Sequence, residues 1–215
     1  MKTHVLLIGY SKLAKKRLIN FFVKKEIKIS IASKSYKGKI NFAFKQYKNY
    51  DKALKNSNAK IVYISLPNSL HYTWANKALN LGYHVIVDKP LCEKYSDSLS
   101  LVNLAKKKNR LISEAIFFNY HSQISKSLKL LGGKKNIYKI NANFTIPKPS
   151  KGSILLSKKL KGGVVMDMGP YAASIHRIFF NERIIKRKSL VKYDKNKLPI
   201  EFNLNISYKN KIYNG

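Results

Sequence analysis

The chain has 215 residues, 43 Lys+Arg against 10 Asp+Glu for a formal charge of +33, 45% hydrophobic residues and a single cysteine. Apolar residues spread along the whole length supply one large core or two small ones and exclude wholesale disorder. Cys92 alone cannot form an internal disulfide, no apolar run has membrane-spanning length, and MKTHVLLIGY is broken too soon by Ser11 and Lys12 for a signal peptide, so a cytoplasmic setting is expected.

Residues 4–10 are a short apolar run ending in glycine, and Leu13, Leu18, Phe21 and Phe22 then recur at helical spacing over 12–25, predicting strand, tight turn and helix. Residues 27–33 read as a strand, 45–56 as a helix, and 60–67 as an apolar strand stopped by Pro67. A helix over 70–82 closes at Gly82, a strand over 84–90 stops at Pro90, a helix over 95–108 opens at Ser96 or Asp97, and 111–117 is the next strand. Continuous apolar strands are buried on both faces. Their alternation with helices predicts an α/β fold: a doubly wound parallel Rossmann sheet over residues 1–118.

Residues 119–215 read as a smaller, incomplete α+β domain with a mostly antiparallel sheet. A helix over 120–131 ends at Gly132-Gly133, a long strand spans 135–147, and Pro147, Pro149 and Gly152 break it. Gly162-Gly163 precede a helix over 166–180, and 187–213 reads as two amphipathic strands around Pro199.

The first turn, Gly9-Tyr10-Ser11-Lys12-Leu13-Ala14, is a G-x-S-x-x-A form of the dinucleotide fingerprint. Gly9 permits the turn, the backbone around Ser11, Lys12 and Leu13 can approach a diphosphate, and Ala14 allows close helix-to-strand packing. Ser11 adds a Cβ where the phosphates pass, which weakens binding unless its hydroxyl donates to them. The second strand ends Ala32-Ser33-Lys34-Ser35, without the acid that holds a ribose 2′-hydroxyl. Ser33 and Lys34 suit a 2′-phosphate, so NADP is expected ahead of NAD.

A charge of +33 also raises nucleic acid as a partner. However, only Arg17, Arg110, Arg177, Arg183 and Arg187 are arginines, the residue type that reads guanine bidentately, and the lysines are scattered among Asn, Ile and Tyr. The expectation is a solvated lysine surface that attracts phosphate-bearing ligands, with no specific nucleic acid and no membrane as partner.

Pro67-Asn68-Ser69-Leu70-His71 and the run from Gly82 to Asp88-Lys89-Pro90 end two of the expected strands. They resemble the P-N-x-x-H turn and G-x-H-V-x-x-E-K-P strand of the glucose-fructose oxidoreductase, inositol dehydrogenase and rhizopine-catabolism (Gfo/Idh/MocA) group of NAD(P)-dependent oxidoreductases. Residues 114–123 match that family's E-A-F-M-x-R-Y-H-P-Q segment, and Gly162-Gly163 with Asp167 and Gly169 match its G-G-x-x-x-D-x-G turn. The resemblance covers residues 4–180 and is closest to the dihydrodiol dehydrogenase-like branch.

It implies hydride transfer between the nicotinamide and a CH–OH or C=O carbon of a sugar, nucleotide sugar or related polyol, and a homo-oligomer built through the second domain's sheet. Lys89 would contact the nicotinamide ribose and the substrate hydroxyl, aimed by Pro90. Tyr171 would exchange the proton with the substrate oxygen, assisted by Lys89. Asp167, four residues before Tyr171 on one helix face, would position sugar hydroxyls or cap the helix. Leu66, Pro67, Asn68, His71, Asp88 and Glu114 would line the nicotinamide end, with a helix-start role for His71 as the alternative.

This chain departs from the family at Asp88, one methylene shorter than Glu, at Asn119 in place of Arg and at Ser122 in place of Pro. Family members continue beyond the point where this sequence stops. A truncated dinucleotide-binding relative without turnover, and a lysine-rich nucleic-acid binder on the same scaffold, are therefore the competing readings. His84, His121 and Cys92 lack the clustering of a metal site, so no metal is expected.

Overall fold

The computed structural model describes residues 2–36, 38–180 and 182–215. The chain separates into two compact units, Met1–Ala115 and Ile116–Gly215, the division falling just ahead of residue 118.

In the first unit, β1 (His4–Ile8), β2 (Lys28–Ala32), β3 (Lys45–Tyr47), β4 (Ile61–Ile64), β5 (His84–Asp88) and β6 (Ile112–Ala115) form one parallel sheet in the order β3-β2-β1-β4-β5-β6. Alternate side chains of each strand enter opposite layers. Leu6, Ile8, Val62, Ile64, Val85 and Val87 pack with Trp74, Ala78, Leu79 and Leu101 on one face, and Val5, Leu7, Ile29, Ile31 and Tyr63 pack with Ala14, Leu18, Ile19 and Phe22 on the other. Burial on both faces is what the unbroken apolar runs require.

The helices are α1 (Ile19–Lys24), entered through a π-helical turn at Ala14–Leu18, then α2 (Tyr50–Asn56), α3 (His71–Asn80) and α4 (Tyr95–Lys107). The expected helix over 45–56 is divided: Lys45–Tyr47 add an edge strand beside β2, and α2 begins only after Asn49, whose side chain accepts the Lys52 N–H. Edge pairing with β2 outweighs helical spacing there. α4 starts at Tyr95, one turn position earlier than Ser96 or Asp97 imply, which places Asp97 in the first turn where the helix dipole favours a carboxylate.

The second unit holds α5 (Ser122–Leu130), β7 (Lys139–Asn141), α6 (Val164–Phe179), β8 (Lys186–Tyr193), β9 (Pro199–Ser207) and β10 (Ile212–Asn214). Its sheet runs β7-β10-β9-β8, antiparallel except for the β7–β10 pair. The core comprises Ile137, Phe180, Ile206, Tyr208 and Tyr213. Two expectations change here. The long strand over 135–147 shrinks to Lys139–Asn141, because β10 offers only three residues to pair with and Lys134–Asn136 coil into a 3-10 turn. The tail forms three strands, since Asp194 Oδ1 accepts the Asn196 and Leu198 N–H groups to make one turn and Tyr208 N–H bonds Lys211 O to make a second.

Two glycines separate the two reasons a position demands glycine. Gly9 has φ +97°, and a Cβ there would lie 2.0 Å from the Ser65 carbonyl oxygen, whereas Gly133 has φ +96° and nothing within 4 Å of a Cβ. Gly133→Ala should cost about 1 kcal/mol from backbone strain alone, and Gly9→Ala about 3 kcal/mol because backbone must also move. Urea unfolding of both variants measures the difference.

Candidate active site

In an open parallel sheet, ligands bind beyond the carboxyl ends of the strands where the strand order reverses, here between β1 and β4. Gly9 follows β1 and Ser65 follows β4. The Gly9 N–H bonds Ala32 O, the Ser65 N–H bonds Ile8 O, and the Ser65 carbonyl lies against the Gly9 Cα with no room for a methyl group. That contact opens a cradle beneath the first helical turn, where backbone N–H groups at 12 and 13 have no intrahelical acceptor and meet the positive end of the helix. The residues therefore fit a diphosphate held by main chain. Ser11 behaves differently from expectation: its Oγ accepts the Ala14 N–H at 3.0 Å and lies 2.7 Å from Ser65 Oγ, so the hydroxyl is turned into the protein.

The turn carrying Lys89 is pinned on both sides. Tyr63 Oη donates to Asp88 Oδ1 at 2.6 Å, and Ser65 Oγ donates to Asp88 Oδ2 at 2.7 Å. Glu114 Oε1 accepts the Leu91 N–H at 2.9 Å. His71 is fully buried, with Nδ1 2.7 Å from Pro90 O and Nε2 2.8 Å from Leu66 O. Both partners are carbonyl oxygens, so a neutral ring donates one of these bonds and a doubly protonated ring donates both. Asp88, His71 and Glu114, expected to line the nicotinamide end, thus spend these groups on bracing the loops that follow β4 and β5. The alternative reading of His71 describes what is seen: it opens α3 and satisfies backbone groups, the carbonyls of Pro90 and Leu66 in two loops. Leu66 and Pro67 lead into a 3-10 turn at Asn68–Leu70, where the Leu70 N–H bonds Pro67 O. Tyr63 and Ser65 were missing from the expected site. Their only signal was a phenol and a hydroxyl inside an otherwise apolar run.

At the tip of β2, Ser33 is 2% exposed and its Oγ accepts the Tyr36 N–H, which places it within the turn. Lys34 is exposed, and its ammonium lies 4.9 Å from the Tyr50 ring centroid and 5.7 Å from that of Trp74. These rings hold the cation at the crevice edge by attraction to their π faces. Of the pair, Lys34 is the one whose side chain reaches solvent.

In the second unit, Gly162 and Gly163 bring the 3-10 turn at Ile154–Leu156 against the start of α6: the Gly163 N–H bonds Leu155 O, and a Cβ on Gly162 would meet the carbonyls of Ile154 and Leu155. Asp167 and Tyr171 follow on one face of α6, as their spacing predicts. The half-buried Tyr171 ring sits between Phe118, at 5.5 Å, and Phe144, stacked at 6.3 Å, which restricts its direction. His176 is buried, and burial followed by the Arg177 charge holds its imidazole below the usual range; its Nδ1 is hydrogen-bonded at 2.6 Å to the hydroxyl of Tyr208, whose phenol burial pushes up. His176 therefore serves the core. Among the described residues, no group of three or more His, Cys, Asp or Glu is disposed to hold a metal, and no helix is long and apolar enough to cross a membrane.

Cys92 follows the lysine turn. Burial pushes its thiol up to about 11, the Ser98 hydrogen bond opposes this, and Asp97 and Glu114 add to it. The proton is held more tightly than in an open chain, so little thiolate is present at pH 8. Iodoacetamide should alkylate Cys92 slowly at pH 8, about tenfold faster per pH unit up to about 11, and quickly in urea.

Comparison with known proteins places this arrangement. Residues 3–116 match the model of the oxidoreductase family with an NAD-binding Rossmann fold. A dTDP-3,4-didehydro-2,6-dideoxy-alpha-D-glucose 3-reductase of Streptomyces violaceoruber is 30% identical over 147 residues, 67% of this chain and 43% of that enzyme. A D-xylose 1-dehydrogenase (NADP(+)) of Haloferax volcanii is 29% identical over 135 residues, 62% of this chain and 42% of that one. The chain spans about two fifths of the length of these curated relatives. The solved structure of KijD10, a 3-ketoreductase from Actinomadura kijaniata in complex with NADP and TDP-benzene, superposes with a TM-score of 0.87 at 22% identity, covering 100% of this chain and 69% of that one. Nothing in these comparisons supports a nucleic-acid binder. With the family model matching more than half of the residues, and with its glycine turn and lysine turn facing one sheet edge, the chain belongs to the Gfo/Idh/MocA family of oxidoreductases.

Proposed function

We propose that the protein is an NADP-dependent oxidoreductase acting on a CH–OH or C=O carbon of a sugar, nucleotide sugar or related polyol. One observation carries this reading: the main-chain cradle at Gly9 and the braced turn presenting Lys89 stand at the same edge of one parallel sheet. The names of its relatives, a nucleotide-sugar reductase and a xylose dehydrogenase, support the substrate class. Solved variants of KijD10 include a lysine-to-alanine and a tyrosine-to-phenylalanine replacement, the residue types on which the proposal relies.

When bound, the nicotinamide supplies C4 as hydride donor or acceptor. The chain's own residues do the rest. Backbone N–H groups at Ser11, Lys12 and Leu13 hold the diphosphate beneath the helix N-terminus, and Gly9 keeps that approach open. Lys34 holds the 2′-phosphate, which favours NADP over NAD. The Leu66–Asn68 loop borders the nicotinamide end. Lys89 donates to the substrate oxygen and stabilises the negative charge that grows there, and Tyr171 gives or takes the proton of that oxygen. Asp167 orients substrate hydroxyls. The face of the second unit's sheet is proposed as the contact of a homo-oligomer, and the lone cysteine fits a cytoplasmic setting.

Fluorescence titration tests the cofactor arm. NADPH should bind more tightly than NADH, and Lys34→Ala should weaken NADPH about tenfold while leaving NADH unchanged; equal losses for both would remove the 2′-phosphate role. Turnover is followed at 340 nm with a panel of sugars and dTDP-sugars. Lys89→Ala and Tyr171→Phe should each lower kcat by about 10²-fold or more with NADPH affinity retained. Binding with no turnover on any substrate would leave a dinucleotide-binding relative.

A further inference from the structure

We infer that Ser11 serves the lysine turn and not the diphosphate: with Ser65 and Asp88 it forms one positioning unit for Lys89. The directions of the bonds carry this. Asp88 as a carboxylate only accepts, so the Ser65 hydroxyl, 2.7 Å from Oδ2, must give its single proton there. Ser65 Oγ can then only accept from Ser11 Oγ at 2.7 Å, and Ser11 Oγ in turn accepts the Ala14 N–H at 3.0 Å. The run Ala14 N–H, Ser11, Ser65, Asp88 is thus directed, each hydroxyl donating once towards the carboxylate. Tyr63 Oη closes the other carboxylate oxygen at 2.6 Å.

Burial makes the alternatives costly. Ser65 is 3% exposed and Tyr63 2%, so an unmade bond at either leaves a polar atom without water. Ser65 cannot withdraw either, because its carbonyl is packed on Gly9. A diphosphate would compete for the one proton Ser11 owns, and taking it would strip Ser65 of its donor and loosen the carboxylate beside Lys89. Ser11 occupies the usual glycine position, yet it does not crowd that position with an idle group. Its hydroxyl is the far end of the brace that holds the Asp88-Lys89 turn, and diphosphate binding falls to the main chain.

The inference rests on the proposed dinucleotide reading only in its affinity measurement. Ser11→Ala, Ser65→Ala, the double variant and Ser11→Thr are compared in the full chain by NADPH fluorescence titration and by the pH profile of Lys89 acylation with acetic anhydride, read by peptide mass spectrometry. Ser11→Ala should change NADPH affinity less than about threefold. It should shift the Lys89 profile by about half a pH unit or more, as Ser65→Ala does, and the double variant should shift it no further than either single. Ser11→Thr, which keeps the hydroxyl, should match the unmodified chain. A tenfold loss of NADPH affinity in Ser11→Ala with the Lys89 profile unmoved, or shifts that add in the double variant, would overturn the assignment. If the unmodified chain binds no NADPH, the dinucleotide reading fails, while the Lys89 profiles still decide the brace.

Discussion

The contact between the tips of β1 and β4 is the constraint on which the first unit depends. The Ser65 carbonyl rests on the Gly9 Cα at a distance that admits no side chain, and Gly9 holds a φ that favours glycine. Both strands must end there. β1 turns into the helix that presents free N–H groups, and β4 turns into the loop that leads through Pro67 to His71. The crevice is therefore a consequence of how closely two backbones pack, which is why its main chain can serve as a ligand.

From that contact the lysine turn is fixed by polar groups that the sheet brings inward. Asp88 ends β5, with Tyr63 and Ser65 of the neighbouring β4 segment beside it, because parallel register places Ile64 opposite Val87. His71 opens α3 and spans the loops after both strands, and Glu114 reaches Leu91 from β6. Such a network is expensive to break, since each buried member left unpaired loses its share of solvation. Its effect is to narrow the directions open to the segment around Lys89, and preorganisation of that kind is what a group meant to meet a developing charge requires.

The surface obeys a different logic. Ten acids cannot neutralise 43 bases, which leaves a net +33, and the ion pairs Lys2–Glu26, Lys77–Asp51 and Lys192–Glu201 lie at exposed positions where screening leaves them weak. Lys211 differs from these. It lies in the turn between β9 and β10, is 9% exposed, bonds Glu182 and the Lys134 carbonyl, and stands 5.5 Å from the Phe180 ring centroid. Lysine here is mostly a solvated coat, and it gains a defined place where an aromatic platform holds it, as at Lys34, or where the side chain is itself buried and paired, as at Lys211.

Periodicity alone determined the doubly wound sheet, because strands buried on both faces must be apolar at every position, and that pattern survives any detail of packing. The glycine turn and the Asp167–Tyr171 spacing were legible for the same local reason, since turns and helix faces depend on residues close in sequence, whereas the lysine turn was marked by the resemblance to the family's E-K-P strand end. Tertiary structure decided what spacing cannot encode. The edge strand at Lys45–Tyr47 exists because β2 offers it hydrogen bonds, and the strand expected over 135–147 is short because its neighbour is short. Ser11, His71 and Asp88 took roles as braces because their partners, Ser65, Pro90 and Tyr63, stand 54, 19 and 25 residues away. A hydroxyl's or imidazole's function is set by the acceptor it faces, and only the folded chain brings that acceptor within reach.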